Sequence, residues 1–154
     1  MNQKFEEQQK VDTIWPLGMV AVTLVGNWIL YFILKHDDLS FFYISVTSVC
    51  VLSLFISSLK LNTKIADNTI LYKMFPFHFK WQEIPFKSIR KLEIRTFKPL
   101  SEYGGWGLRR GKSGRAYTIK GNTGLQLTLN DNSKILFGTN KKEELSNVIK
   151  TLNK

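Results

Sequence analysis

The stretch Ile14–Leu34, IWPLGMVAVTLVGNWILYFIL, runs for 21 residues without a formal charge. Leu39–Leu59, LSFFYISVTSVCVLSLFISSL, runs for 21 more. As helices each extends roughly 32 Å, against a bilayer hydrocarbon core of roughly 30 Å. The two runs therefore predict a pair of membrane-spanning helices. Only Lys35–Asp38 separates them, which leaves room for nothing but a tight hairpin. A buried hairpin in a soluble protein is the alternative, but two apolar runs of this length exceed what a small core needs.

The polar residues inside the runs fit a membrane setting. The second run carries six Ser and one Thr. Their hydroxyls bond back to carbonyls of the preceding turn and so are tolerated in lipid. Asn27 in the first run is expected to bond a Ser of the partner helix. No acid or base lies within either run, which leaves a proton relay without residues. The leader Met1–Thr13 mixes Lys4 and Lys10 with Glu6, Glu7 and Asp12, and no small-x-small site follows the first run, so it reads as an uncleaved span.

Charge then sets the orientation. The chain has 154 residues, with 22 Lys or Arg against 12 Asp or Glu and a net charge of +10. From Lys60 onward there are 19 basic residues and 7 acidic ones. Lys4 and Lys10 precede the first run, and Lys60, Lys64 and Lys73 follow the second, while the hairpin loop holds one Lys. The positive-inside rule places both termini in the cytoplasm. The expected layout is a multi-pass protein of the cell (inner, cytoplasmic) membrane: cytoplasmic leader 1–13, transmembrane helix 14–34, extracytoplasmic loop 35–38, transmembrane helix 39–59 and cytoplasmic domain 60–154. The single cysteine, Cys50, excludes an intrachain disulfide.

Residues 60–154 read as strands closed by a helix. Leu61–Ala66 and Thr69–Phe75 flank a turn at Asp67-Asn68, followed by a weaker strand at His78–Glu83 and a longer one at Ile89–Phe97. Ala116–Lys120 and Leu125–Leu129 come next; Leu125, Leu127 and Leu129 are expected inward, Gln126 and Thr128 outward. Lys134–Gly138 is the last strand. Asn140 is the expected N-cap of a final helix, with Glu143 completing a capping box and Leu145, Val148, Ile149 and Leu152 forming one apolar stripe. The fold class is α+β: a helical hairpin, then a small antiparallel barrel or strongly bent sheet with a helix over one opening.

Ile84-Pro85-Phe86-Lys87-Ser88-Ile89-Arg90-Lys91-Leu92, with the strand order and closing helix around it, resembles bacterial pleckstrin-homology-like domains, in which a comparable segment leads into a long central strand. Tyr103-Gly104-Gly105-Trp106-Gly107, Gly124-Leu125-Gln126-Leu127 and Gly138-Thr139 are similar to small bacterial membrane proteins of unknown function with two helices ahead of such a domain. The resemblance implies a pleckstrin-homology-like antiparallel β-barrel capped by the C-terminal helix. It brings no catalytic residues.

Chemistry-bearing motifs are few. Gly107–Ser113 has one residue too few between its glycines for a phosphate-binding P-loop, and a strand pattern follows it. His36, His78 and Cys50 are too dispersed for a metal set or a Cys–His nucleophile. The expectation is a non-enzymatic module with no cofactor and no metal. Its candidate site is the Gly-rich segment Tyr103–Arg115, read as a long loop, in which Trp106, Arg109, Arg110, Lys112 and Arg115 are the lipid- or partner-binding residues. Basic side chains beside an aromatic suit an anionic bilayer surface. A membrane-anchored protein-interaction or oligomerisation scaffold is the alternative, as is a loop whose role is structural. One Trp among basic residues does not make a nucleic-acid site.

Overall fold

The structure is a computed structural model that describes residues 3–34, 40–66, 68–111 and 113–152. The expected loop 35–38, together with Leu39, Asp67 and Lys112, lies outside the described residues. The chain divides into two compact units, one of residues 11–58, the other joining residues 1–10 to 59–154.

The first unit is a pair of packed helices, α1 (Ile14–Leu34) and α2 (Ser40–Ser58). Ser45 Oγ donates to Asn27 Oδ1 at 2.8 Å, the interhelical bond expected of Asn27. Ser53 Oγ reaches the Pro16 carbonyl of α1 at 3.3 Å. Other hydroxyls turn back on their own helix: Ser48 to the Ile44 carbonyl, Ser57 to that of Ser53. One helix, α1, is long and apolar enough to cross a membrane over Ile14–Ile33; the apolar part of α2, Phe42–Ser58, is shorter than that measure.

The second unit holds two sheets and a closing helix. The leader is its first strand, β1 (Gln3–Lys10), followed across the helix pair by β2 (Lys60–Ala66), β3 (Thr69–Phe75) and β4 (Gln82–Pro85) in an antiparallel meander. Asn68 takes a left-handed φ of 68° in the β2–β3 turn. After a 3-10 turn at Phe86–Ser88 come β5 (Ile89–Thr96), α3 (Pro99–Tyr103), β6 (Gly107–Gly111), β7 (Gly114–Thr118), β8 (Thr123–Leu129), β9 (Lys134–Gly138) and α4 (Lys142–Leu152). The second sheet runs β5-β8-β9-β7-β6 and is mixed, because β7 and β9 are parallel. The expected single antiparallel barrel is thus replaced by two sheets, with no barrel closure among the described residues.

The sheets meet through aromatic side chains. Tyr72 of β3 lies 4.9 Å from the Tyr117 ring and 4.8 Å from the Phe137 ring. Leu61, Ile65, Ile70 and Met74 fill one side of this core; Leu125, Leu127 and Ile135 fill the other. Leu145 and Ile149 of α4 are buried as the apolar stripe predicts, and α4 packs on both β1 and β5. The second face of the β5–β9 sheet is covered too. Phe97 and Tyr103 fold over Ala116 and Leu136 to make a second cluster. Gln126, expected in solvent, is therefore buried, with Nε2 donating to the Ile135 carbonyl and Oε1 accepting from Arg95 Nε.

The strand β1 was not legible as a strand, because two of its three inward positions are polar. Phe5, Glu7 and Gln9 point in, and Glu7 is only 6% exposed. A buried carboxylate needs partners. Glu7 accepts hydrogen bonds from Thr139 Oγ1 (2.6 Å), the Asn140 N–H (2.8 Å) and Gln9 Nε2 (2.9 Å), and Gln9 Nε2 also donates to the Gly138 carbonyl (2.8 Å). This network moves the start of α4. The Asn140 amide is held by Glu7, Thr139 Oγ1 takes the Lys141 N–H, and the helix begins at Lys142 rather than just after Asn140.

Glu7→Ala leaves the buried Thr139 hydroxyl without its acceptor, a loss of about 1–3 kcal/mol, and frees the part-buried Asn140 N–H. Its outward neighbour Glu6 pairs with Lys64 on the surface, where an ion pair contributes about 1 kcal/mol or less. Thermal unfolding of the full chain in detergent is expected to show a large drop in midpoint for Glu7→Ala and a small one for Glu6→Ala.

Candidate functional site

The segment Tyr103–Arg115 is not one loop. Its first residue ends α3, and β6 and β7 form a hairpin whose partners run from Gly107↔Thr118 to Gly111↔Gly114. The pattern GLRRG has little intrinsic strand preference, and five glycines in thirteen residues read as loop. Pairing with β7, itself held against β9, imposes the strand.

Strand geometry divides the predicted cations. Residues opposite one another share a face, and faces alternate along a strand. Arg110 and Arg115 are register partners and both are exposed. They lie on the face that carries Tyr117 and Phe137, so the core face of the sheet continues past its aromatic residues into two guanidinium groups. Like charges placed opposite each other destabilise a sheet. Arg109 lies on the other face, where its Nε donates to the Trp106 carbonyl at 3.0 Å. Trp106, 43% exposed, donates from Nε1 to the Gly121 carbonyl at 2.8 Å, at the far end of the hairpin. The structure thus brings Arg110 and Arg115 together and sets Trp106 and Arg109 apart from them.

Arg110 and Arg115 line a groove of about 600 Å³. Its opposite wall comes from the β8–β9 turn and the start of β9: Asp131, Asn132, Ser133, Lys134 and Ile135. Lys134 is also on this wall, but it precedes Ile135, the register partner of Arg115, so strand alternation sends its side chain to the opposite face. Neither guanidinium group forms an ion pair among the described residues. Asp131 is the one acid among the described lining residues, and hydrogen bonds from Ser133 hold its carboxyl below the usual carboxylate range. It stays ionised at neutral pH and opposes a bound anion. Groups of three or more His, Cys, Asp or Glu able to hold a metal are absent among the described residues.

The hairpin is braced from behind. Arg95 Nη2 donates to Glu102 Oε2 at 2.7 Å and to Tyr103 Oη at 3.3 Å, and Tyr103 Oη in turn donates to the Ser113 carbonyl at 3.4 Å. The hydrogen bond from Arg95 holds the Glu102 carboxyl below its ordinary range, and it raises Arg95 further. Asn130 and Asn132 fasten the other wall: the Asn130 N–H bonds the Ser88 carbonyl, and Arg90 Nη1 bonds Asn132 Oδ1. Ser88 closes the 3-10 turn whose Phe86 N–H bonds the Asn68 carbonyl. The groove rim is therefore tied to the Asn68 end of the first sheet, roughly 20 Å along β2 from Lys60.

No protein-family model, curated protein or solved structure matches the chain.

Gly114 sets the width of the groove. It has a φ of +102°, and a Cβ there would collide with the Lys134 carbonyl. Gly114→Ala is expected to cost at least about 1 kcal/mol, because φ is unfavourable and β7 must move off β9. A lowered unfolding midpoint measures this.

Proposed function

We propose that the chain is a membrane-anchored, non-enzymatic module of pleckstrin-homology-like type whose basic groove binds a phosphate-bearing anion. The observation that carries this reading is the meeting of Arg110 and Arg115 on one concave surface. Guanidinium groups offer forked donors that match phosphate oxygens. Ser113 and Ser133 also line it. The four-strand meander, second sheet and closing helix support the family resemblance; the parallel β7–β9 pair departs from the antiparallel barrel it implied.

Both α1 and α2 cross the membrane in this reading. Lys10 and Lys60 are register partners in the β1–β2 ladder. The chain leaves the domain at Lys10 and returns beside the same point, so its ends lie on one side of the bilayer. If α1 crosses, α2 must return. Its 19 residues extend roughly 28 Å, close to the hydrocarbon thickness of roughly 30 Å. The lysines of the domain support a cytoplasmic side.

The anion is a lipid headgroup or a soluble phosphate compound, and titration separates the two. The experiment uses the full chain in neutral-lipid nanodiscs, because a fragment starting at residue 60 lacks β1. Short-chain phosphatidylglycerol and inorganic phosphate are the probes. At about 1 kcal/mol per cation, the double variant Arg110→Gln, Arg115→Gln should bind about thirtyfold more weakly. Asp131→Asn should bind more tightly. Saturation by phosphatidylglycerol alone identifies a headgroup; equal competition by phosphate identifies a soluble ligand. Unchanged binding in the double variant overturns the groove and favours partner binding on the edge of β6.

A further inference from the structure

The first sheet carries an aromatic surface that the groove does not use. Among described residues of the sheet unit, the exposed large apolar side chains are Phe77, Phe79, Trp81, Leu100 and Trp106. Three of these five fall within the β3–β4 connection, Pro76–Trp81. Phe79 is 73% exposed and Phe77 47%. The Phe79 ring lies edge-on to Phe75 at 5.7 Å, so the connection holds a preformed aromatic pair. Lys64 Nζ sits 5.2 Å from the Trp81 ring centroid.

Register places this connection. Phe75 is the partner of Lys60, and Lys60 is the partner of Lys10. These three residues form one row across the sheet, all on its outward face, since Phe5, Glu7, Gln9, Leu61, Thr63, Ile70, Tyr72 and Met74 point inward. Lys60 follows the end of α2 by two residues, and Lys10 precedes the start of α1 by four. The next outward row adds Lys73, and Lys80 lies within the connection itself. Exposed aromatic rings flanked by lysines therefore stand at the same end of the sheet through which the chain enters and leaves its apolar helices. An aromatic ring with a polar or cationic flank favours the level of the headgroups over either water or hydrocarbon.

We propose that the β3–β4 connection is an interfacial anchor: Phe77 and Phe79 enter the headgroup–acyl boundary of the bilayer that holds the helices, and Lys10, Lys60, Lys73 and Lys80 face its anionic headgroups. The occupant is lipid because the covalent tether already holds this row within a few residues of the bilayer, where any accessible apolar side chain meets lipid at high effective concentration. The groove at Arg110 and Arg115 is tied to the opposite end of the sheet, so the two surfaces act independently. The anchor rests on the membrane reading of α1 but not on the anion reading of the groove.

The test is spin-label accessibility on the full chain in phosphatidylcholine–phosphatidylglycerol nanodiscs, with Cys50→Ser as background. Labels are placed singly at Lys80→Cys, at Lys87→Cys as a water-exposed reference outside the groove lining, and at Val22→Cys within α1. The ratio of collisions with oxygen to collisions with a polar nickel chelate reports depth. The expected ratio at position 80 is several-fold above that at 87 and below that at 22, and Phe77→Ser with Phe79→Ser returns position 80 to the value at 87. A ratio at 80 equal to that at 87, with a lipid-buried 22, overturns the anchor alone. A water-exposed 22 overturns the membrane reading and the anchor with it.

Discussion

The hydrogen-bonded ladder between β1 and β2 governs the rest of this molecule. It joins two segments that are separated in sequence by the whole apolar half of the chain. The chain leaves this ladder after Lys10 and re-enters it at Lys60, 49 residues intervening, directly opposite in register. That constraint closes the helical segment into a loop with adjoining ends. It places Phe5 in the core, where burying a side chain of this kind contributes about 1.5–3 kcal/mol. It also brings the Glu7 carboxylate to the junction of β9 and α4, where that helix starts.

The same ladder explains why the basic half is not an independent domain. Residues 59–154 supply eight of the nine strands, and β1 supplies the ninth, covering the edge of β2. Without β1, the amides and carbonyls along β2 would be an open edge, and open edges invite pairing with other chains. The buried Gly138 carbonyl and Thr139 hydroxyl would likewise lose the partners supplied by Gln9 and Glu7.

Much of this was legible in the sequence, and the misses share a cause. Long apolar runs gave α1 and α2, period-two alternation gave β5 and β8, turn residues bounded β2, β3 and β9, and the stripe Leu145–Ile149 gave α4, because each signal is local. The strand β1 hides because Glu7 and Gln9 occupy inward positions, and their partners apart from each other lie more than 120 residues away. The strand β6 hides because Gly107 and Gly111 lack side chains that would mark a sheet. Within the candidate site, Arg110 and Arg115 were found from charge alone. Their separation from Arg109 follows from strand alternation, and the place of Arg115 beside Ile135 follows from a parallel pairing that no local pattern encodes.

The whole arrangement depends on the leader being a strand of the sheet unit. Hydrogen exchange of the full chain in nanodiscs, read residue by residue, measures this most directly. The β1 amides bonded to β2, within Phe5–Gln9, are expected to exchange as slowly as those linking β2 to β3. Exchange of residues 3–10 at the rate of an unstructured peptide, while β2 and β3 remain protected, would contradict it.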